Sequence, residues 1–140
     1  MIILINEIYP KLKKYLQDNS KYSPLVTKKT LKQSKKFPMV VITEEDNSFH
    51  FGTTKTKKRE IVSSLAYKVE IYAVDKQIGN KIVSNVEIVE ELEKLVDDVL
   101  GNSYGFDRLS CRPTPNLDET IYRVTMRYQG KIFENKNRII

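Results

Sequence analysis

The chain has one cysteine and one histidine. Cys111 has no partner for an internal disulfide, so a reducing compartment is the expected setting. With no second cysteine and no histidine at a suggestive spacing, its expected role is that of a small buried hydrophobe. His50, flanked by Phe49 and Phe51, cannot build a metal site alone and reads as a surface or edge residue. A P-loop, a GxGxxG, a GxSxG and zinc-ligand spacings are all missing. Gly101 and Gly105 are better explained as a helix cap and a turn. No apolar run approaches the roughly 18 residues that a membrane-spanning helix needs. The start, Met1 to Glu7, lacks a basic stretch and a small-residue cleavage site, so it does not read as a signal peptide. The expectation is a soluble, non-enzymatic protein with no metal, no cofactor and no membrane partner.

What is present is a unit from Leu65 to Gly101. Leu65, Tyr67, Val69, Ile71 and Ala73 alternate with polar Lys68 and Glu70, which is the period of a half-buried strand. Asp75 to Asn80 turns the chain, and Lys81 to Val83 could already be helical. Ser84 and Glu87 have capping-box spacing. Val86, Val89, Leu92, Val96, Val99 and Leu100 give a helical stripe widened by Leu95, and Gly101 is placed as its left-handed cap.

Around this unit the expected order is α-β-β-β-α-β-β. Ile5, Ile8, Tyr9, Leu12 and Leu16 mark one face of a first helix over 2–18, which either starts near Glu7 or is kinked at Pro10. Residues 19–36 read as a flexible basic arm, with a small apolar patch at Leu25 and Val26. Phe37 to Thr43 has strand length, with Pro38 at its start or on an edge. Glu44 to Ser48 reads as a turn, and Ser48 to Gly52 as a short second strand. Thr53 to Arg59 is a polar hairpin tip before a long strand from Ile61. Phe106 to Arg112 is a strand. Glu119 to Ile132 is the last long one, with Tyr122, Val124, Met126 and Tyr128 alternating against Arg123, Thr125 and Arg127. Residues 134–140 form a polar tail. This is one domain over 1–140, of α+β class: a mostly antiparallel sheet with two helices packed on one face. Lys68, Glu70, Arg123, Thr125 and Arg127 fall on the other face, which must meet solvent, a lumen or a neighbouring subunit.

Charge is uneven. There are 24 Lys+Arg against 18 Asp+Glu, a net +6. Lys28, Lys29, Lys32, Lys35 and Lys36 form one basic group, and Lys55, Lys57, Lys58 and Arg59 a second. The second helix is acidic, with Glu90, Glu93 and Asp97 among its carboxylates. Neighbouring carboxylates on a helix diverge, so they read as a charged surface rather than an acid–base pair. Basic loops and an acidic helix suit contacts between unlike surfaces of identical copies, with these residues as candidate subunit or partner contacts. The lysine groups could also hold phosphates, although no stacking platform accompanies them.

The texture of the chain resembles a known family. An amphipathic helix and a loop lead to Phe-Pro-Met-Val-Val-Ile (37–42). Next come a long strand, Tyr-Lys-Val-Glu-Ile-Tyr-Ala-Val-Asp-Lys (67–76), and a single helix, Val86 to Leu100. Gly-Phe-Asp-Arg (105–108) and a Pro-Asn stretch follow, and then Ile-Tyr-Arg-Val-Thr-Met-Arg-Tyr (121–128). Over about 37–130 this is similar to the tail terminator, or tail-completion, proteins of long-tailed bacteriophages and related phage-tail particles. The resemblance implies a structural virion protein, assembled in the host cytoplasm. It would form a homo-oligomeric, hexameric ring that caps the tail tube, stops its growth and joins the head and neck. Partners would be its own copies, the tube protein, sheath and head–tail connector proteins. DNA would pass through the lumen without sequence-specific binding, past Lys68, Glu70, Arg123 and Arg127. The alternatives are another neck, connector or tube component, or a small basic nucleic-acid-binding module.

Overall fold

In a computed structural model, residues 4–28, 36–51, 60–115, 118–135 and 138–139 are described, with side chains placed for 4–28, 36–46, 64–115 and 118–131. The central pair of strands explains the rest. β3 (Glu60–Ala73) and β7 (Tyr122–Asn135) run antiparallel over their whole lengths, from Glu60↔Asn135 to Ala73↔Tyr122. β2 (Met39–Phe51) pairs with β3 on one side and β6 (Asp107–Pro113) with β7 on the other. β1 (Leu25–Thr27) adds to β2 in parallel, and β8 (Arg138–Ile139) adds to the end of β7. The sheet order is thus β1-β2-β3-β7-β6. A separate hairpin, β4 (Lys76–Ile78) and β5 (Lys81–Val83), leads into α2 (Asn85–Asp97). The architecture is α+β, with a mostly antiparallel sheet and two helices.

Both helices bury their apolar stripes on one sheet face. α1 (Ile5–Asn19) contributes Ile8, Leu12 and Leu16, and α2 contributes Ile88, Val89, Leu92 and Val96. They meet Val40 and Ile42 from β2, Leu65, Tyr67, Val69 and Ile71 from β3, and Val124, Met126 and Tyr128 from β7. Strand alternation and helix periodicity therefore converge on one core. Each large side chain buried there contributes about 2 kcal/mol from apolar transfer. Phe106 packs against Tyr67 with ring centroids 5.6 Å apart. Its ring also occupies the space above Gly130, where any Cβ would collide with it.

Several boundaries differ from expectation. Glu44 to Ser48 is not a turn. β2 continues through it, with a bulge between Glu44 and Asp46. The long β3 opposite offers an unbroken ladder, and a bulge absorbs the extra residue without ending the pairing. Leu25 and Val26 belong to a strand rather than a loop. α1 begins at Ile5, so Pro10 lies beyond its first turn. The Asn6 carbonyl loses its intrahelical donor there, on an exposed face where water can replace it. Lys81 to Val83 is a strand, not helix. Val86 is exposed, and Ile88 takes its expected place: two residues along a helix turn the side chain through about 200°. Ser84 caps α2 by accepting the Glu87 amide at 3.3 Å. At the other end the helix widens into a π-helical turn over Asp98–Ser103 that contains Gly101. The left-handed glycine at this end of the helix is Gly105, φ +72°, and the next amide, of Phe106, returns to the Leu100 carbonyl at 2.9 Å. The expected hairpin tip at Thr53 to Arg59 lies outside the described residues. The expected tail at 134–140 is partly strand: 134–135 end β7 and pair with 138–139, whereas 136, 137 and 140 lie outside the described residues.

Candidate functional site

The strand alternation places Lys68, Glu70 and Tyr72 of β3 beside Arg127, Thr125 and Arg123 of β7, on the sheet face away from the helices. Lys68 and Arg127 are direct partners across the ladder, as are Glu70 and Thr125. The expectation of a uniformly open polar face does not hold. Glu70 is only 4% exposed, and Thr125 is buried as well. Met39, Val41 and Tyr72 form a second small apolar cluster on this face, with Leu25, Phe37 and Ile121 packed against it. Val41 sits directly opposite Glu70 in the β2–β3 register. The carboxylate therefore lies beside hydrocarbon and survives there by being paired.

Its partners are well defined. Arg123 donates from Nη2 to Glu70 Oε2, and the Tyr72 hydroxyl donates to the same oxygen at 3.0 Å. Lys68 Nζ lies 3.5 Å from Oε1. The Arg123 guanidinium also stands 5.4 Å from the centre of the Tyr72 ring, a cation–π arrangement. Burial pushes the Glu70 carboxyl upward. The Arg123 charge and hydrogen bond, with help from Tyr72 and Lys68, outweigh that and hold it below the usual carboxylate range. Thr114 and Thr125 share a hydroxyl hydrogen bond of 2.6 Å, which closes the face at its β6 edge.

Arg127 behaves differently. It is half-exposed and lies 3.3 Å from Glu45, which comes from the β2 bulge. Of the four residues proposed for the polar face, Arg127 is thus the one that presents charge outward. Glu70 and Arg123 are a structural pair, and Lys68 leans on them.

The acidic helix is also partly committed inside the chain. Asp97 accepts from the Tyr128 hydroxyl and pairs with Arg108 Nη1 at 2.8 Å. Burial raises the Tyr128 hydroxyl pKa, and the Asp97 hydrogen bond raises it further. Glu93 sits half-buried beside Cys111, and that burial raises its carboxyl pKa. The Cys111 thiol is pushed up to about 11 by burial and by the Glu93 charge. It is half-buried next to a carboxylate rather than enclosed in the apolar core. Glu90 remains an exposed carboxylate. So of Glu90, Glu93 and Asp97, Glu90 alone points freely outward as a contact candidate.

Of the basic candidates, Lys28 is exposed and holds its ammonium 5.1 Å from the Tyr9 ring centre. Lys36 is exposed too. Lys29, Lys32, Lys35, Lys55, Lys57, Lys58 and Arg59 lie outside the described residues, as does the His50 side chain. Among the described residues no group of three or more His, Cys, Asp or Glu side chains could hold a metal ion. No helix among them is long and apolar enough to cross a membrane.

The periodicity of the sequence gave no sign of two features that bear on assembly. Leu109 on β6 is 61% exposed. It occupies the irregularity between Arg108 and Ser110, without a partner in β7. In addition, β1 covers β2 only from Met39 to Val41. Among the described residues, no strand pairs with the outer edge of β2 beyond that point, or with the outer edge of β6. The chain matches no protein-family model and no curated protein.

Proposed function

We propose that the chain is a structural virion protein, a tail terminator. It closes into a homo-oligomeric, hexameric ring on the end of the tail tube, stops tube growth and presents the joining surface for the head and neck. The observation that carries this reading is the length of the sheet. β2, β3 and β7 have 13, 14 and 14 residues, whereas α2 has 13. At strand and helix rises, β3 spans about 45 Å and α2 about 20 Å. A helix of that length covers less than half of such a strand, and the three strands remain paired out to Phe51, Glu60 and Asn135. The three paired strands thus form a blade longer than either helix. Such a blade supports a role in contacts between copies or with a tube better than a role in holding a small molecule.

The reading gives the chain no catalytic step. Of the cations Lys68, Arg123 and Arg127, Arg127 is the most exposed, and it would meet passing DNA without reading its sequence. Neck, connector and tube components of the same particle share these features, but a tube subunit would keep polymerising. The test adds the purified chain to tube protein that is polymerising. The expected result is tubes capped by one ring and arrested in length. Unchanged tube growth, together with a monomer that binds DNA in a salt-dependent manner, overturns the proposal in favour of a basic nucleic-acid-binding module.

A further inference from the structure

We infer that copies of this chain join edge to edge, the β6 edge of one copy pairing antiparallel with the β2 edge of the next, beyond Val41. The inference rests on the ring reading above. An unpaired strand edge is a row of unused backbone donors and acceptors, and natural proteins cover, charge or pair such rows. Here the two open edges lie on opposite sides of one sheet. β2, β3, β7 and β6 alternate in direction. Rotation of one copy onto the next therefore brings β6 antiparallel to β2, a heterologous contact that closes when the rotation fits a ring.

The lengths and charges agree. The open stretch of β2 runs from Ile42 to Phe51 and carries Glu44, Glu45 and Asp46. β6 has seven residues and carries Arg108 and Arg112 against Asp107. An acidic edge thus faces a basic one, which sets register and disfavours β2-to-β2 pairing. Leu109 stands exposed on that basic edge, where a neighbouring strand would cover it. The offset also fits. Ser110 is level with Thr43 through the pairs Ser110↔Arg127, Arg127↔Lys68 and Lys68↔Thr43. The middle of the open stretch lies further along β2. An offset of about four residues across four strands corresponds to a strand tilt of about 35° in a closed sheet, the range that closed sheets adopt.

The test uses the full chain and two kinds of variant. Leu109→Glu places a carboxylate against the acidic edge. The expected result is loss of the ring, read as a fall from ring mass to monomer mass in solution or on tubes, with an unchanged thermal midpoint for the monomer. In parallel, Leu109→Cys is combined in turn with Thr43→Cys, Glu45→Cys and Asn47→Cys. Oxidation is expected to give a ladder of cross-linked copies ending at the ring for one of these pairs. A full ring from Leu109→Glu, or a ring from which none of the three pairs cross-links, overturns the edge contact and leaves the ring reading standing. Absence of any ring from the unaltered chain, alone or on tube protein, overturns both.

Discussion

The two faces of the sheet are stabilised by different physics. On the helix face, Tyr67, Tyr128, Leu92 and Met126 are fully buried, and van der Waals fit decides what is tolerated. On the far face, a buried carboxylate is held by Arg123, Tyr72 and Lys68 beside Met39 and Val41. There the balance of charge decides. The contrast continues within the far face. Arg123 and Arg127 are four residues apart on one strand and each pairs with a glutamate, but only the first pair is enclosed. Desolvation makes a buried charge costly once its partner is gone, whereas water replaces the partner of an exposed one.

Arg123→Met should give the largest effect. It keeps the aliphatic stem but strands the Glu70 carboxylate, at a cost of about 3 kcal/mol in urea unfolding. Adding Glu70→Met should recover most of that loss. If Arg123→Met alone costs no more than a surface substitution, charge does not govern this face. Gly130→Ala comes next, at about 2 kcal/mol, because the new methyl meets the Phe106 ring. Phe106→Leu in the same chain should relieve part of it, as volume rules on the helix face require.

Acid should then separate the faces. Glu70 has a folded pKa below its unfolded value of about 4.3. Its contribution is complete above the unfolded value and disappears as pH falls through the folded one. Arg123→Met should therefore flatten the loss of stability between roughly pH 5 and 2. An unaltered slope in that variant would assign the acid sensitivity to other carboxylates. Arg127→Ala should have the smallest effect, about 0.5 kcal/mol or less, and that effect should shrink further in high salt. A cost equal to that of Arg123→Met would erase the distinction between enclosed and exposed pairs.

The helix face was legible in the sequence because periodicity reports burial directly. Ile8, Leu12 and Leu16 on α1 and Val124, Met126 and Tyr128 on β7 lie where their spacing puts them. What the sequence hid depends on distant partners. Glu44-Glu45-Asp46 has the composition of a turn, but β3 and Arg127 hold it in a strand. β1 has three residues and exists because Met39 to Val41 offers it an edge. Gly101 has the right position for a cap, but the π-helical turn carries the helical chain past it and leaves Gly105 to reverse direction. The polar residues of the far face were found by alternation, whereas their enclosure was not. The apolar Met39 and Val41 come from a different strand, and a period of two within β3 says nothing about its neighbours. The proposed contacts at 29–35 and 52–59 lie in segments outside the described residues.

Cys111 has a practical consequence. Labelling and cross-linking chemistry needs thiolate, and a thiol whose pKa is about 11 presents almost none near neutral pH. Each copy thus carries one silent thiol. Any cysteine introduced on an exposed strand edge will react first, so a dye, a spin probe or a gold particle can be placed at a chosen point on each copy with the native residue left in place.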